Sequence, residues 1–173
     1  GSPWVQFNGQ TLNLSHRQIE ILCILALHPH GIGLEELHYA LYGERSVSLK
    51  TLKAELSQLR SLLPHSIEAR IYRLSCEVQC DFLCAEQSLN ANLISSTFSL
   101  YKGSFLSKSE SPLLSTWRHC FDARLSQLIY QIKDIDQLLR IIGQTHDRID
   151  AVQRLLELLP QDSIHRNYFS NMI

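Results

Sequence analysis

The sequence predicts a mainly α-helical protein with small β hairpins, in two parts that meet near Asp81. Three observations lead there. Apolar residues recur at three- and four-residue spacing over most of the chain, the period of a helix with one buried face. Two short stretches, near the amino end and at 67–78, interrupt that period and read as hairpins. After Asp81 the texture is helical throughout, and short connections between helices imply antiparallel neighbours. The 173 residues are 45% hydrophobic and 19% charged, enough to bury a core and unlike a disordered chain. The expected domains are 3–80 and 81–173. Gly1-Ser2 reads as an expression remnant and is set aside.

VQFNGQTLNL opens the chain at Val5. Asn8-Gly9 favours a type I′ turn, whose two central residues both need positive φ. Ser15 stands three residues before Gln18, a capping-box pattern. Ile19, Leu22, Cys23 and Ala26 then continue at helical spacing, and His28-Pro-His-Gly31 stops that helix. A second helix starts near Leu34, with Glu35 and Glu36 in the first turn, where the helix dipole favours acid. Leu37, Ala40 and Leu41 face inward, and Tyr42-Gly43 closes it. The third helix is SLKTLKAELSQLR, Ser48 to Arg60, with leucines at 49, 52, 56 and 59. Ser46 or Ser48 caps it, and Pro64 ends it. Ile67 to Val78 reads as two strands around a tight turn.

In the second part, Phe82 to Tyr101 holds one or two helices, and Gly103 to Ser111 is a link. Leu114, Trp117, Phe121, Leu125, Leu128 and Ile132 mark a long helix. Segments 134–142, 149–159 and 163 to the end give three more. No clean 34-residue repeat is present, so periodicity alone licenses no repeat label.

Three short helices, the third basic, followed by a hairpin, is the order of a winged helix-turn-helix. In that fold the third helix enters the DNA major groove, which is wide enough for one helix and carries a readable donor and acceptor pattern. Local charge agrees. Between Ser46 and Ser75, Lys50, Lys53, Arg60, Arg70 and Arg73 stand against Glu55 and Glu68, a local +3 in a chain of net −1. The competing reading is an ordinary amphipathic helix with a solvated charged face.

Residues 5–82 resemble the winged-helix output domain of OmpR/PhoB-type bacterial regulators. The matching stretches are Val5 to Gly9, Leu12 to Ser15, Gln18 to Leu22, Gly33 to Leu37, Leu41 to Gly43 and Tyr72 to Leu74. Thr51-Leu-Lys-Ala-Glu-Leu-Ser-Gln-Leu-Arg60, the most specific, is similar to the family's recognition helix, with Leu52, Leu56 and Leu59 as its core positions. Residues 81–169 resemble, more loosely, the helical activator domain of SARP-type regulators. There the stretches are Leu100 to Leu106, Trp117-Arg118 and Leu158 to Arg166, and in that family the helices pack like tetratricopeptide repeats and mediate protein contacts.

The resemblance implies a bacterial transcription regulator, with no enzymatic activity and no cofactor. It implies double-stranded DNA contacts at Lys50, Thr51, Lys53, Ala54, Ser57, Gln58 and Arg60. Ser48 lies at the helix entry, and Arg70 and Arg73 at the wing. The link Glu44 to Val47 sits where such regulators touch RNA polymerase. Departures carry their own expectations. Glu68-Ala-Arg-Ile71 replaces the family's Gly-x-Gly, which implies a short wing. Glu55, Ser57 and Gln58 stand where arginines are common, which implies modest monomer affinity and a homodimer on repeated half-sites. No receiver domain is legible, so a sensor domain ahead of residue 3 is expected. The alternative is a protein-interaction adaptor, a winged helix that has lost DNA binding.

Other signals are weaker. Five cysteines, an odd number in a core-capable chain, do not suggest a disulfide scaffold and point to a reducing bacterial cytoplasm. Cys76, Cys80 and Cys84 offer three thiols for zinc or redox sensing, but they cross a strand-to-helix junction and read as small buried hydrophobes. His28 and His30 lack further metal ligands. Trp117 and Phe121 share the spacing of a packed helix face. No nucleophile elbow, P-loop or dinucleotide fingerprint occurs. No apolar run is long enough to span a bilayer.

Overall fold

The computed structural model describes residues 3–145 and 147–171. They are mainly helical, with one small antiparallel hairpin among them, and divide into two compact units. The first takes residues up to Cys80 together with 106–118; the second takes 81–105 and the chain from His119 onward.

In the first unit, β1 (Val5–Phe7) pairs with β2 (Gln10–Leu12), Val5 opposite Leu12 and Phe7 opposite Gln10. Asn8 and Gly9 hold φ of 49° and 79°, the positive pair that a type I′ turn demands. Helix α1 (His16–Leu27) opens on a complete capping box, the Ser15 hydroxyl accepting from Gln18 N–H and the Gln18 side chain from Ser15 N–H. Helix α2 (Leu34–Tyr42) closes at Gly43, φ 59°. Helix α3 (Leu49–Leu62) is capped by the Ser48 hydroxyl, which accepts from Thr51 N–H. The three helices pack on one another. Ile21, Ile24 and Leu25 of α1, Leu37 and Leu41 of α2, and Leu52, Leu56 and Leu59 of α3 form the core, all essentially removed from water. Each such side chain contributes about 1.5–3 kcal/mol of hydrophobic stabilisation. Leu49, in the first turn of α3, stays more than a third exposed.

The second hairpin is smaller than predicted. Ile67 to Val78 contains no regular strand, only an isolated antiparallel bridge of Ile67 with Leu74. The residues after it, Ser75 to Gln79, are all exposed and have no face to bury, so pairing stops there. A second bridge joins Tyr72 to Ile32, between α1 and α2, a pairing that no alternation in the sequence announces.

The stretch Gly103 to Ser111, predicted as a link, is partly built into the first unit. Residues 106–118 belong to that unit, and Ser109 and Ser111 are buried in it.

The second unit contains α4 (Asp81–Asn90), α5 (Ile94–Leu100), the later turns of α6 (Pro112–Gln131), α7 (Ile135–Gln144), α8 (Ile149–Leu158) and α9 (Ile164–Ser170). Helix α4 packs on α5, α5 on α7, α7 on α8, and α8 on α9. Phe121, Leu125, Leu128 and Ile132 are buried at their predicted spacing, joined by Ile129, whereas Trp117 is only half-buried. A polar hub sits among them. The Arg148 side chain, 7% exposed, pairs with Asp150 and Asp122 and donates to the Ser126 hydroxyl. Tyr101 O–H donates to Asp147 at 2.7 Å, and burial, reinforced by that carboxylate, holds its pKa well above the ordinary tyrosine value. No helix among the described residues is long and apolar enough to cross a membrane.

Candidate nucleic-acid interface

Helix α3 has two opposed faces. Leu52, Leu56, Leu59 and the capping Leu63 fall within one narrow arc and are at most 5% exposed. On the opposite side, at the three-and-four spacing of a single stripe, stand Lys50, Ala54, Ser57 and Ser61, all exposed. Lys53 flanks this stripe on one side; Thr51 and Gln58 flank it on the other. The outward surface thus carries short side chains along its centre and cations near it. Neither lysine forms an ion pair among the described residues.

Several predicted contact residues are already engaged. The Ser48 and Thr51 hydroxyls lie 3.1 Å apart at the amino cap. Gln58 accepts a long 3.4 Å bond from the Gln18 side chain, tying α3 to α1. Arg60 folds back: its guanidinium donates to the Glu68 carbonyl at 2.8 Å and lies over the Tyr72 ring, 5.4 Å from its centroid. It fastens the tight turn to α3 and presents less of its charge outward. At the turn, Arg73 pairs with Glu68 at 2.8 Å, both ends exposed, and the carboxylate beside it raises the Arg73 pKa. Arg70, at the tip, is exposed and forms no ion pair among the described residues.

The tight turn is positioned by the chain between α1 and α2. Ile32 and Tyr72 exchange both main-chain hydrogen bonds, at 3.0 and 2.9 Å. Gly31, at φ +92°, passes so close to Ile71 that a Cβ there would overlap the Ile71 Cγ2. Glycine is the residue that tolerates both conditions. The sequence does not announce this pairing, because a one-residue bridge has no period.

The link between α2 and α3 is also fixed. Arg45 donates to the carbonyls of Leu41 and Tyr42, capping α2, and to both the carboxylate and the carbonyl of Glu110. His38 Nε2 lies 2.7 Å from the Val47 carbonyl. Arg45 is thus committed within its own unit.

Elsewhere, Cys76 is exposed, and Cys80 and Cys84 are half-buried. No group of three or more metal-ligating side chains gathers among the described residues. His28 Nδ1 lies 2.7 Å from the Ile24 carbonyl, where it closes α1.

No protein-family model matches the chain. It is similar to a protein of Rhodococcus erythropolis described as an uncharacterized 47.3 kDa protein in the thcA 5′ region, with 28% identity over 153 residues, 88% of this chain. The match covers 35% of that relative, so the chain spans about a third of its length.

Proposed function

We propose that the first unit is a winged helix that binds specific double-stranded DNA, with α3 as its recognition helix. The observation that carries this reading is the exposed face of α3. Lys50 and Lys53 lie beside Ala54 and Ser57 on a helix whose other face is sealed by leucines. Short polar side chains let a helix approach base edges, and the lysines meet phosphates. The bridges of Tyr72 with Ile32 and of Leu74 with Ile67 support it, because they pair the turn whose Glu68 and Tyr72 meet Arg60 of α3. In this reading the chain is part of a cytoplasmic bacterial transcription regulator of OmpR/PhoB type. Its second unit is a SARP-like helical domain, packed in the manner of tetratricopeptide repeats, for dimerisation or contact with a partner or polymerase. A sensor domain lies elsewhere in the protein.

A second reading, a protein-interaction adaptor without DNA binding, is favoured by one observation. Arg60 and Arg73 are held by Glu68, so Lys50, Lys53 and Arg70 are the cations left around α3 and the turn. Substitution separates the two. Lys53→Ala and Ser57→Ala weaken DNA binding if α3 reads DNA; wild-type affinity in both variants would contradict the assignment of this face.

A further inference from the structure

Residues 106–112 are bound to the rest of the first unit through the side chains of Ser109, Glu110 and Ser111, whose partners lie off the outward face of α3. The Ser109 hydroxyl donates to Glu20, a carboxylate only 1% exposed that also pairs with Arg17 at 2.6 Å. The Ser111 hydroxyl donates to the Ala40 carbonyl at 2.7 Å, and accepts from Leu114 N–H at the start of α6. Arg45 holds the Glu110 carboxylate at 2.7 Å and its carbonyl at 2.8 Å. The last carbonyls of α2, on Ala40, Leu41 and Tyr42, are therefore satisfied by Ser111 and Arg45 together. Helix ends leave such carbonyls without internal partners, and a buried one without a substitute is costly.

The same residues control the approach to α3. Arg45 lies in the six-residue link between α2 and α3, and that link ends on Ser48, the α3 cap. Anything that lifts residues 109–112 takes Ser111 off the Ala40 carbonyl and Glu110 off Arg45, and leaves Arg45 held only by its own bonds to the Leu41 and Tyr42 carbonyls. His38 Nε2, 2.7 Å from the Val47 carbonyl, also holds the link to α2. Residues 106–118, of which this segment is the first part, belong to the first unit but are covalently continuous with the second at Phe105 and at His119.

We infer that residues 106–112 are a latch that couples the α2–α3 link, and with it the entry of α3, to the chain of the second unit. The latch does not depend on the partner of α3, because its contacts lie away from that face. Its outer half, Arg45 with Glu110, is exposed; its inner half, Ser109 and Ser111, is buried. The outer half is accessible to a partner or to a change of charge.

Hydrogen exchange of the full chain tests this without any DNA. Glu110→Lys places two cations together in the outer half. The latch predicts at least tenfold faster exchange both at Ser111, Leu114 and Ser115 and at Gly43, Arg45 and Val47, with α7 and α8 unchanged. Glu110→Gln changes both segments in the same direction, by less. Ser111→Ala, acting on the inner half of the same segment, must also loosen 43–47, and by reciprocity Arg45→Ala must speed exchange at 111–115. Faster exchange confined to 109–115 would overturn the inference. So would an equal rise across α7 and α8, which is loss of fold and not release of a latch.

Discussion

Ile32 and Tyr72 exchange both main-chain hydrogen bonds across 39 intervening residues, and this pair seats the tight turn beside α3. The bridge depends on Gly31, whose φ of +92° and contact with Ile71 leave no place for a side chain. Gly31→Ala is predicted to cost about 1–3 kcal/mol from backbone strain, plus the displacement of Ile71. Gly9, at φ +79° but facing open space, is the control: Gly9→Ala carries strain without collision and costs less. Denaturant unfolding of both variants measures the difference.

The two faces of α3 predict opposite phenotypes. Leu56→Ala opens a cavity among Leu52, Leu59 and their neighbours and is predicted to cost about 2–5 kcal/mol. Lys53→Ala and Ser57→Ala, both exposed, are predicted to change stability by less than about 0.5 kcal/mol. Under the proposed reading they are predicted to lower DNA affinity instead. Thermal melts alongside binding titrations separate the two effects.

Arg60 is predicted to act through the fold. Removing it leaves the Glu68 carbonyl without its donor and uncovers the Tyr72 ring. Arg60→Ala should lower stability by about 1–2 kcal/mol and speed amide exchange at 68–74. A Lys there lacks the planar fork and should restore little. If Arg60→Ala instead leaves exchange at 68–74 unchanged while abolishing DNA binding, Arg60 is a direct contact.

Stability at high pH reports on Tyr101. Its folded pKa is raised by burial and by Asp147, so the folded state holds this proton more tightly than the unfolded chain does. The stabilisation is complete below the unfolded tyrosine value of about 10 and is lost as pH rises beyond it. Tyr42 is raised in the same direction, also mainly by burial. Tyr101→Phe should therefore flatten the alkaline decline in part, while lowering stability at neutral pH through loss of the Asp147 bond. A decline as steep as wild type would contradict this.

Much of the helical architecture was legible because the signals were periodic or stereochemical. Asn8-Gly9, the Ser15–Gln18 box and the leucines at 52, 56 and 59 each express a local rule that tertiary packing had no reason to override. The missed features are non-local. Ile32 pairs alone and makes no alternation. Ser109 and Ser111 look like linker residues because serine carries no hydrophobic period, yet they are buried by bonds to Glu20 and Ala40, which lie 89 and 71 residues away. The second hairpin was overestimated because Ile67, Ile71 and Leu74 suggest a strand, whereas Ile71 is in fact 55% exposed at the turn. For the α3 face, spacing was sufficient to separate outward from inward residues. It was not sufficient to show that Arg60 and Arg73 are held by Glu68.

The most direct test of the proposed DNA-reading face is the salt dependence of binding to a site selected from fragments of the source genome. Each phosphate neutralised contributes a slope of roughly −0.9 in log affinity against log salt. Wild type should show a steep slope, and Lys53→Ala a slope shallower by about one phosphate at unchanged thermal stability. A slope identical in wild type and Lys53→Ala, or no selected site even at low salt, would contradict α3 as the recognition helix.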